Sequence, residues 1–233
     1  MKKTTVTVIL LLLSIGMLNE SFNIPSIKAE ESIYISSEGT VYPQTAPIER
    51  DGDIYSFTAN ISGHVVVQRN NAVVDGKWYS LEGEGTGNGF DLSNINNVTV
   101  KNAKISRFST GINLYHSVGA TLVNNTITKC VYGILPSNSP DSTISTNIVA
   151  GNFWDGIFLT YSDRNIIDNN IIANHSKWGL YLGSSTGITL RNNKISGNAW
   201  NFAVSDKFVH DIDDSNTIDG KPICYLINQH GFN

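Results

Sequence analysis

From His64 onward, apolar residues recur in short alternating runs of three to five residues, each ended by Gly or Asn. No run carries the i, i+3, i+4 spacing of a helix over ten residues, so the pattern predicts strands throughout. The runs also repeat at a fixed step. Gly89, Gly111, Gly133, Gly156 and Gly179 are separated by 22, 22, 23 and 23 residues. They open segments such as Gly111-Ile112-Asn113-Leu114, Gly156-Ile157-Phe158-Leu159 and Gly179-Leu180-Tyr181-Leu182, while Pro136 breaks the motif after Gly133. Two aliphatic columns keep the same step: Val100, Leu122, Ile144, Ile167 and Leu190, then Ile105, Ile127, Val149, Ile172, Ile195 and Ile218. An asparagine column follows it as well, Asn125, Asn147, Asn170, Asn193 and Asn216, with Asn102, Asn124, Asn169 and Asn192 just ahead of it.

Strands this short suit one coil of a solenoid, each pairing in parallel with its equivalent about 4.8 Å away. The predicted fold is therefore all-β, a right-handed parallel β-helix of 22–23-residue coils. Asparagine tolerates the left-handed backbone of a bend, and its amide can donate to the amide oxygen of the next coil. The column Asn125 to Asn216 is expected to be such a structural ladder. Residues 30–62 do not repeat. There Ile33-Tyr34-Ile35 and Ile54 to Phe57 alternate as strands and Asp51-Gly52 reads as a tight hairpin turn, predicting an N-terminal β cap before a β-helix over 63–233. At the far end Asp219-Gly220-Lys221-Pro222 reads as a turn and Ile223 to Ile227 as an apolar strand with no amphipathic cap behind it. That predicts either end-to-end self-association or a chain that is a piece of a longer coil.

Composition agrees with strands and corners, since the chain holds 27 Asn and 27 Ile, both mediocre helix formers. Residues 1–29 have the layout of a secretory signal peptide: Lys2 and Lys3, an apolar run from Val6 to Leu18, and cleavage expected after Ala29. The expected location is secreted, periplasmic or cell-surface, with membrane contact only through that segment before cleavage. The net charge of −4 becomes more negative once it leaves, which argues against a nucleic-acid partner. Cys130 and Cys224 lie 94 residues apart. That is roughly 19 Å along a coil axis, so both are predicted to be free thiols, Cys130 buried in register with Phe108.

Three chemistries are open to these residues. The densest acidic group is Asp206, Asp211, Asp213 and Asp214, beside His210. Asp211 and Asp213 would share a strand face, making Asp211, Asp213 and Asp214 the catalytic candidates for two-carboxylate glycoside hydrolysis. The same group could instead hold Ca²⁺ near Asp206, Asp211 and Asp213, or be a solvated loop. No other cofactor or metal is expected. The five histidines (His64, His116, His175, His210 and His230) have no ligand spacing and read as lone solvent-facing side chains. For sugar binding, the outward residues of the Gly-x segments are Asn113, Leu135, Phe158 and Tyr181, with Tyr115, His116 and Tyr161 just beyond the strand. Tyr115, His116, Phe158, Tyr161 and Tyr181 are the ligand-binding candidates, because aromatic faces suit pyranose rings. Trp154, Trp178 and Trp200 are predicted to form another column at the preceding corner. The competing reading of all these rings is cross-strand cover for a sheet.

The Gly-Ile-x-Leu and Asn-Asn-x-Ile repeats, the lead-in Asn71-Ala72-Val73-Val74-Asp75-Gly76 and the segment Asp219-Gly220-Lys221-Pro222-Ile223 resemble the NosD-type β-helix family, also called the carbohydrate-binding and sugar hydrolase (CASH) domain. The resemblance spans about residues 33–230 and implies a pectin-lyase-like fold. It implies a periplasmic copper-handling accessory protein as one function, and polysaccharide lyases, hydrolases or epimerases as another. Similar archaeal exported proteins continue the coil past the Asp-Gly-Lys-Pro ending, which implies a shortened chain here. The function expected from the residues is a non-catalytic module that binds polysaccharide or serves as a surface scaffold or adhesin.

Overall fold

The computed structural model describes residues 32–226, so the proposed signal segment 1–29 lies outside it. These residues form an all-β solenoid of about seven turns with no helix. Each coil contributes one strand to each of three sheets. One coil runs through Thr110–Tyr115, Thr121–Val123 and Thr126–Thr128, and the next through Tyr132–Ser137, Thr143–Ser145 and Ile148–Ala150. Equivalent strands pair in parallel, with Val100↔Leu122↔Ile144↔Ile167↔Leu190 in the second sheet and Ile105↔Ile127↔Val149↔Ile172↔Ile195 in the third. Those aliphatic columns fill the interior, nearly all of them fully buried. Pro136 also stays in place, opposite Leu114 in the first sheet.

The corners follow one rule. A residue in the left-handed region turns the chain with its side chain outside, and the next side chain enters the core. Between the second and third sheets the turning residues are Asn102, Asn124, Thr146, Asn169 and Asn192, with φ between 54° and 60°. The buried residue after them is Ala103 in the first of these corners and a ladder asparagine in the rest. In an inner rung such as Asn147, Oδ1 accepts from the backbone N–H and the side-chain amide of Asn125, at 2.9 and 3.1 Å. Its own Nδ2 donates to Leu122 O and to Asn170 Oδ1. Every buried amide group thus finds partners in adjacent coils, as low-dielectric interiors demand.

Two further corners carry ladders that were not anticipated. Ser117, Ser139, Ser162 and Ser185 accept backbone N–H bonds one to the next at the end of the first sheet. At the corner entering the first sheet, the inward column is Phe108, Cys130, Asn152, His175 and the half-buried Asn198. There Cys130 N–H donates to Asn152 Oδ1, Asn152 N–H to His175 Nδ1, and His175 N–H to Asn198 Oδ1. His175 is only 3% exposed. With Nδ1 accepting and Nε2 facing Val149 O at 3.0 Å, its ring plays the part of an asparagine amide and must be neutral with the proton on Nε2. Burial accordingly lowers its pKa to about 4. His210 does the same at another corner, accepting from Ile188 N–H and facing Lys207 O. The expectation of lone solvent-facing histidines is therefore wrong for these two; sequence reasoning had no side-chain column on which to place them.

Both ends depart from the coil. Ser32–Ile35, Ile54–Phe57 and Ile61–Ser62 each pair in parallel with the next coil, so the N-terminal segment supplies an irregular first turn. Antiparallel strands Val41–Tyr42 and Ile48–Asp51 then close the first and second sheets. The hairpin pairs Asp51 with Ile54, placing its two-residue turn at Gly52-Asp53, one position later than predicted. At the other end Lys221–Pro222 folds back antiparallel on Thr217–Ile218. Residues 223–226 are not a strand, contrary to expectation, and Ile227 lies outside the described residues. Ile223 is instead buried, and the Tyr225 ring packs 6.1 Å from His210.

Candidate ligand-binding face

The outer face of the first sheet concentrates the aromatic side chains. Phe158 and Tyr181 are in register and stack at 4.6 Å with planes 7° apart, a distance that matches the spacing between strands. The Tyr181 hydroxyl meets Ser205 Oγ at 2.7 Å. Its ring crosses Gly183, where a Cβ would stand 2.6 Å from Tyr181 Cε1, so only glycine admits this pose. Tyr132, Trp154 and Trp178 extend the cluster: Tyr132 meets Trp154 edge-on at 5.5 Å and Phe158 at 6.3 Å. Trp178 lies 5.8 Å from Tyr181 and 5.1 Å from Trp200. Six rings are thus linked across four coils.

Of the sequence candidates, Phe158 and Tyr181 are brought together. Tyr161 turns the chain at the end of its strand, with φ 51° and 64% exposure. Tyr115 and His116 pair edge-on at 4.2 Å two coils away, at the equivalent corner. The ring missed was Tyr132, which lies with Trp178 and Trp200 in the column directly before the repeat glycines: Thr110, Tyr132, Asp155, Trp178 and Trp200. That position was the available signal. Trp154 does not share the column with Trp178 and Trp200. Asp155 occupies the position equivalent to Trp178, and Trp154 is the extra residue of a 23-residue coil. Lys177 is the corresponding extra residue one coil on, and its Nζ lies 4.0 Å over the Trp154 ring.

The face is almost without charge. Its nine strands contain no Lys or Arg, and their one acid, Asp91, is occupied by Asn88, Ser93 and Asn113.

The acidic candidates sit elsewhere. Arg191 holds both Asp211, at 2.5 Å, and Asp213, at 3.1 Å, on the second sheet. The Ser215 hydroxyl also donates to Asp213 and, with Arg191, lowers its pKa. Asp214 is exposed. Asp206 turns the chain at the end of the first sheet and accepts from Ser184 Oγ. Arg191 thus engages both carboxylates in ion pairs, whereas two-carboxylate hydrolysis needs one of the pair free to give a proton to the leaving group.

The family model described as periplasmic copper-binding protein (NosD) matches residues 57–227. The chain belongs to the NosD family. No curated protein matches it in sequence. Among solved structures, the periplasmic alginate epimerase AlgG superposes with a TM-score of 0.45 at 14% identity, covering 71% of this chain and 48% of that one. A double mutant of AlgG gives 0.45 and 15%, covering 71% and 47%, and a single mutant 0.39 and 12%, covering 80% and 67%. The chain thus spans about half the length of the first of these structures. The NosD description raises copper, and the described residues do not fit it. Among them no group of three or more His, Cys, Asp or Glu could hold a metal ion. His175 and His210 have both ring nitrogens in ladder bonds. Cys130 is buried and Cys224 exposed, both as free thiols.

Proposed function

We propose that this NosD-family β-helix is an exported, non-catalytic module that binds polysaccharide along the outer face of its first sheet. The observation that carries the reading is the six-ring band on a face whose strands hold no Lys or Arg. Aromatic rings bind the apolar faces of pyranoses without needing charge, and a solenoid repeats such contacts along a chain-like ligand. Export is supported by the layout of residues 1–29 and by the periplasmic description of the family. Stacking between Phe158 and Tyr181 covers one face of each ring, so Trp154 and Trp200, 45% and 53% exposed, are the principal contact surfaces. Affinity electrophoresis through gels containing soluble polysaccharides tests this. The wild type should be retarded, and Trp154→Ala/Trp200→Ala should run free while Trp78→Ala, a substitution away from the band, is retarded as before. Equal mobility of all three in every gel would sink the proposal.

A further inference from the structure

Asp155 lies in register between Tyr132 and Trp178, in the coil where the repeat gains a residue. It is 3% exposed, and its Oδ1 accepts from the backbone N–H of Trp178 at 2.8 Å. Oδ2 accepts no hydrogen bond from any described residue. A buried carboxylate oxygen without a donor is costly, and native interiors rarely keep one without a role. Burial raises the pKa of this carboxyl, and its charge in turn helps raise that of Tyr132. The two inserted residues stand beside it. Trp154 immediately precedes Asp155, and Lys177 both favours the ionised carboxylate and covers Trp154. That cover is one cation–π contact at a half-exposed ring, weak enough for a ligand to displace.

The geometry points to Asp155 as the polar anchor of the face, its Oδ2 accepting hydroxyl hydrogen bonds from an uncharged pyranose polysaccharide seated on Trp154 and Trp178. This rests on the polysaccharide reading above and adds the class of ligand. A hydroxyl supplies the missing donor in a charge-assisted bond. A polyuronate would bring carboxylates toward a buried carboxylate whose one neighbouring cation, Lys177, already lies over Trp154; the strands of the sheet supply no Lys or Arg, so like charges oppose it.

Asp155→Asn is the discriminating variant: Oδ1 still accepts from Trp178, while the free acceptor becomes a donor. Calorimetric titration with a soluble β-glucan, a galactomannan and polygalacturonate should show binding of a neutral polymer at least tenfold tighter than polygalacturonate. Asp155→Asn should weaken the neutral polymer at least tenfold with its unfolding midpoint unchanged. As a second measure on the wild type, the Asp155 side-chain ¹³C carboxyl resonance should shift when the neutral polymer binds. If Trp154→Ala abolishes binding but Asp155→Asn and the resonance show no effect, the anchor is wrong and the face stands. Polygalacturonate bound as tightly as a neutral polymer overturns the ligand class. No glycan bound by the wild type overturns both readings.

Discussion

His175 offers a quantitative test of the corner ladders. In the folded protein its Nδ1 must accept from Asn152 N–H, so protonation replaces an acceptor with a donor facing a donor. Its pKa falls from 6.5 to about 4 through burial, with the two backbone contacts opposing only in part. The folded value is depressed, so the unfolded chain takes up the proton first. The ladder's stabilisation is complete above pH 6.5 and is lost as pH falls toward 4. At about 1.4 kcal/mol per pKa unit the loss approaches 3 kcal/mol over that window. His175→Asn removes the titration but keeps an amide that can accept from Asn152 and donate to Val149 O. Urea unfolding, followed by circular dichroism at pH 7.5 and pH 4.5, should show the variant gaining on the wild type by roughly 2–3 kcal/mol across the interval. His210 titrates in both proteins and cancels. Parallel profiles for wild type and His175→Asn would refute the assignment of His175 as a neutral ladder rung.

Other outcomes follow from the same geometry. Asn147→Ala strips the acceptor from two Asn125 donors and removes the amide that donates to Leu122 O and Asn170 Oδ1, so it should cost about 3 kcal/mol or more by denaturant unfolding. Asn124→Gly, at the turning position just before the rung Asn125 and with φ 60°, should stay within about 0.5 kcal/mol because glycine accepts that backbone freely. Gly183→Ala should displace the Tyr181 ring from Phe158 and Ser205, seen as a changed near-ultraviolet dichroism spectrum and weaker glycan retention. In a thiol-reagent assay of the folded protein at pH 8, only Cys224 should react promptly, since burial pushes the Cys130 thiol up to about 11.

The coil was legible because its columns are long: Ile105 to Ile218 and Asn125 to Asn216 each repeat often enough to declare both period and inward face. What could not be read were columns whose chemistry changes from rung to rung. Phe108, Cys130, Asn152, His175 and Asn198 share a corner yet span four residue types, and only hydrogen-bond geometry reveals Asn152 and His175 as equivalents. The aromatic band was half visible. Phe158 and Tyr181 follow from alternation, whereas Tyr132 and Trp178 lie on the other side of the repeat glycine. Trp154 was misplaced because a one-residue insertion moved Asp155 into the column. For the acidic group, sequence proximity of Asp211 and Asp213 gave no hint that Arg191, 20 residues before Asp211, holds both.

Three of the four tryptophans, Trp154, Trp178 and Trp200, belong to the band, and Trp78 stands apart from it. Intrinsic fluorescence therefore reports on the proposed face directly. Titration with a soluble neutral polysaccharide should shift or quench the emission saturably, equally in wild type and Trp78→Phe, and not in Trp154→Ala/Trp200→Ala. Emission indifferent to every neutral polymer, or a response that disappears with Trp78→Phe, would contradict the account.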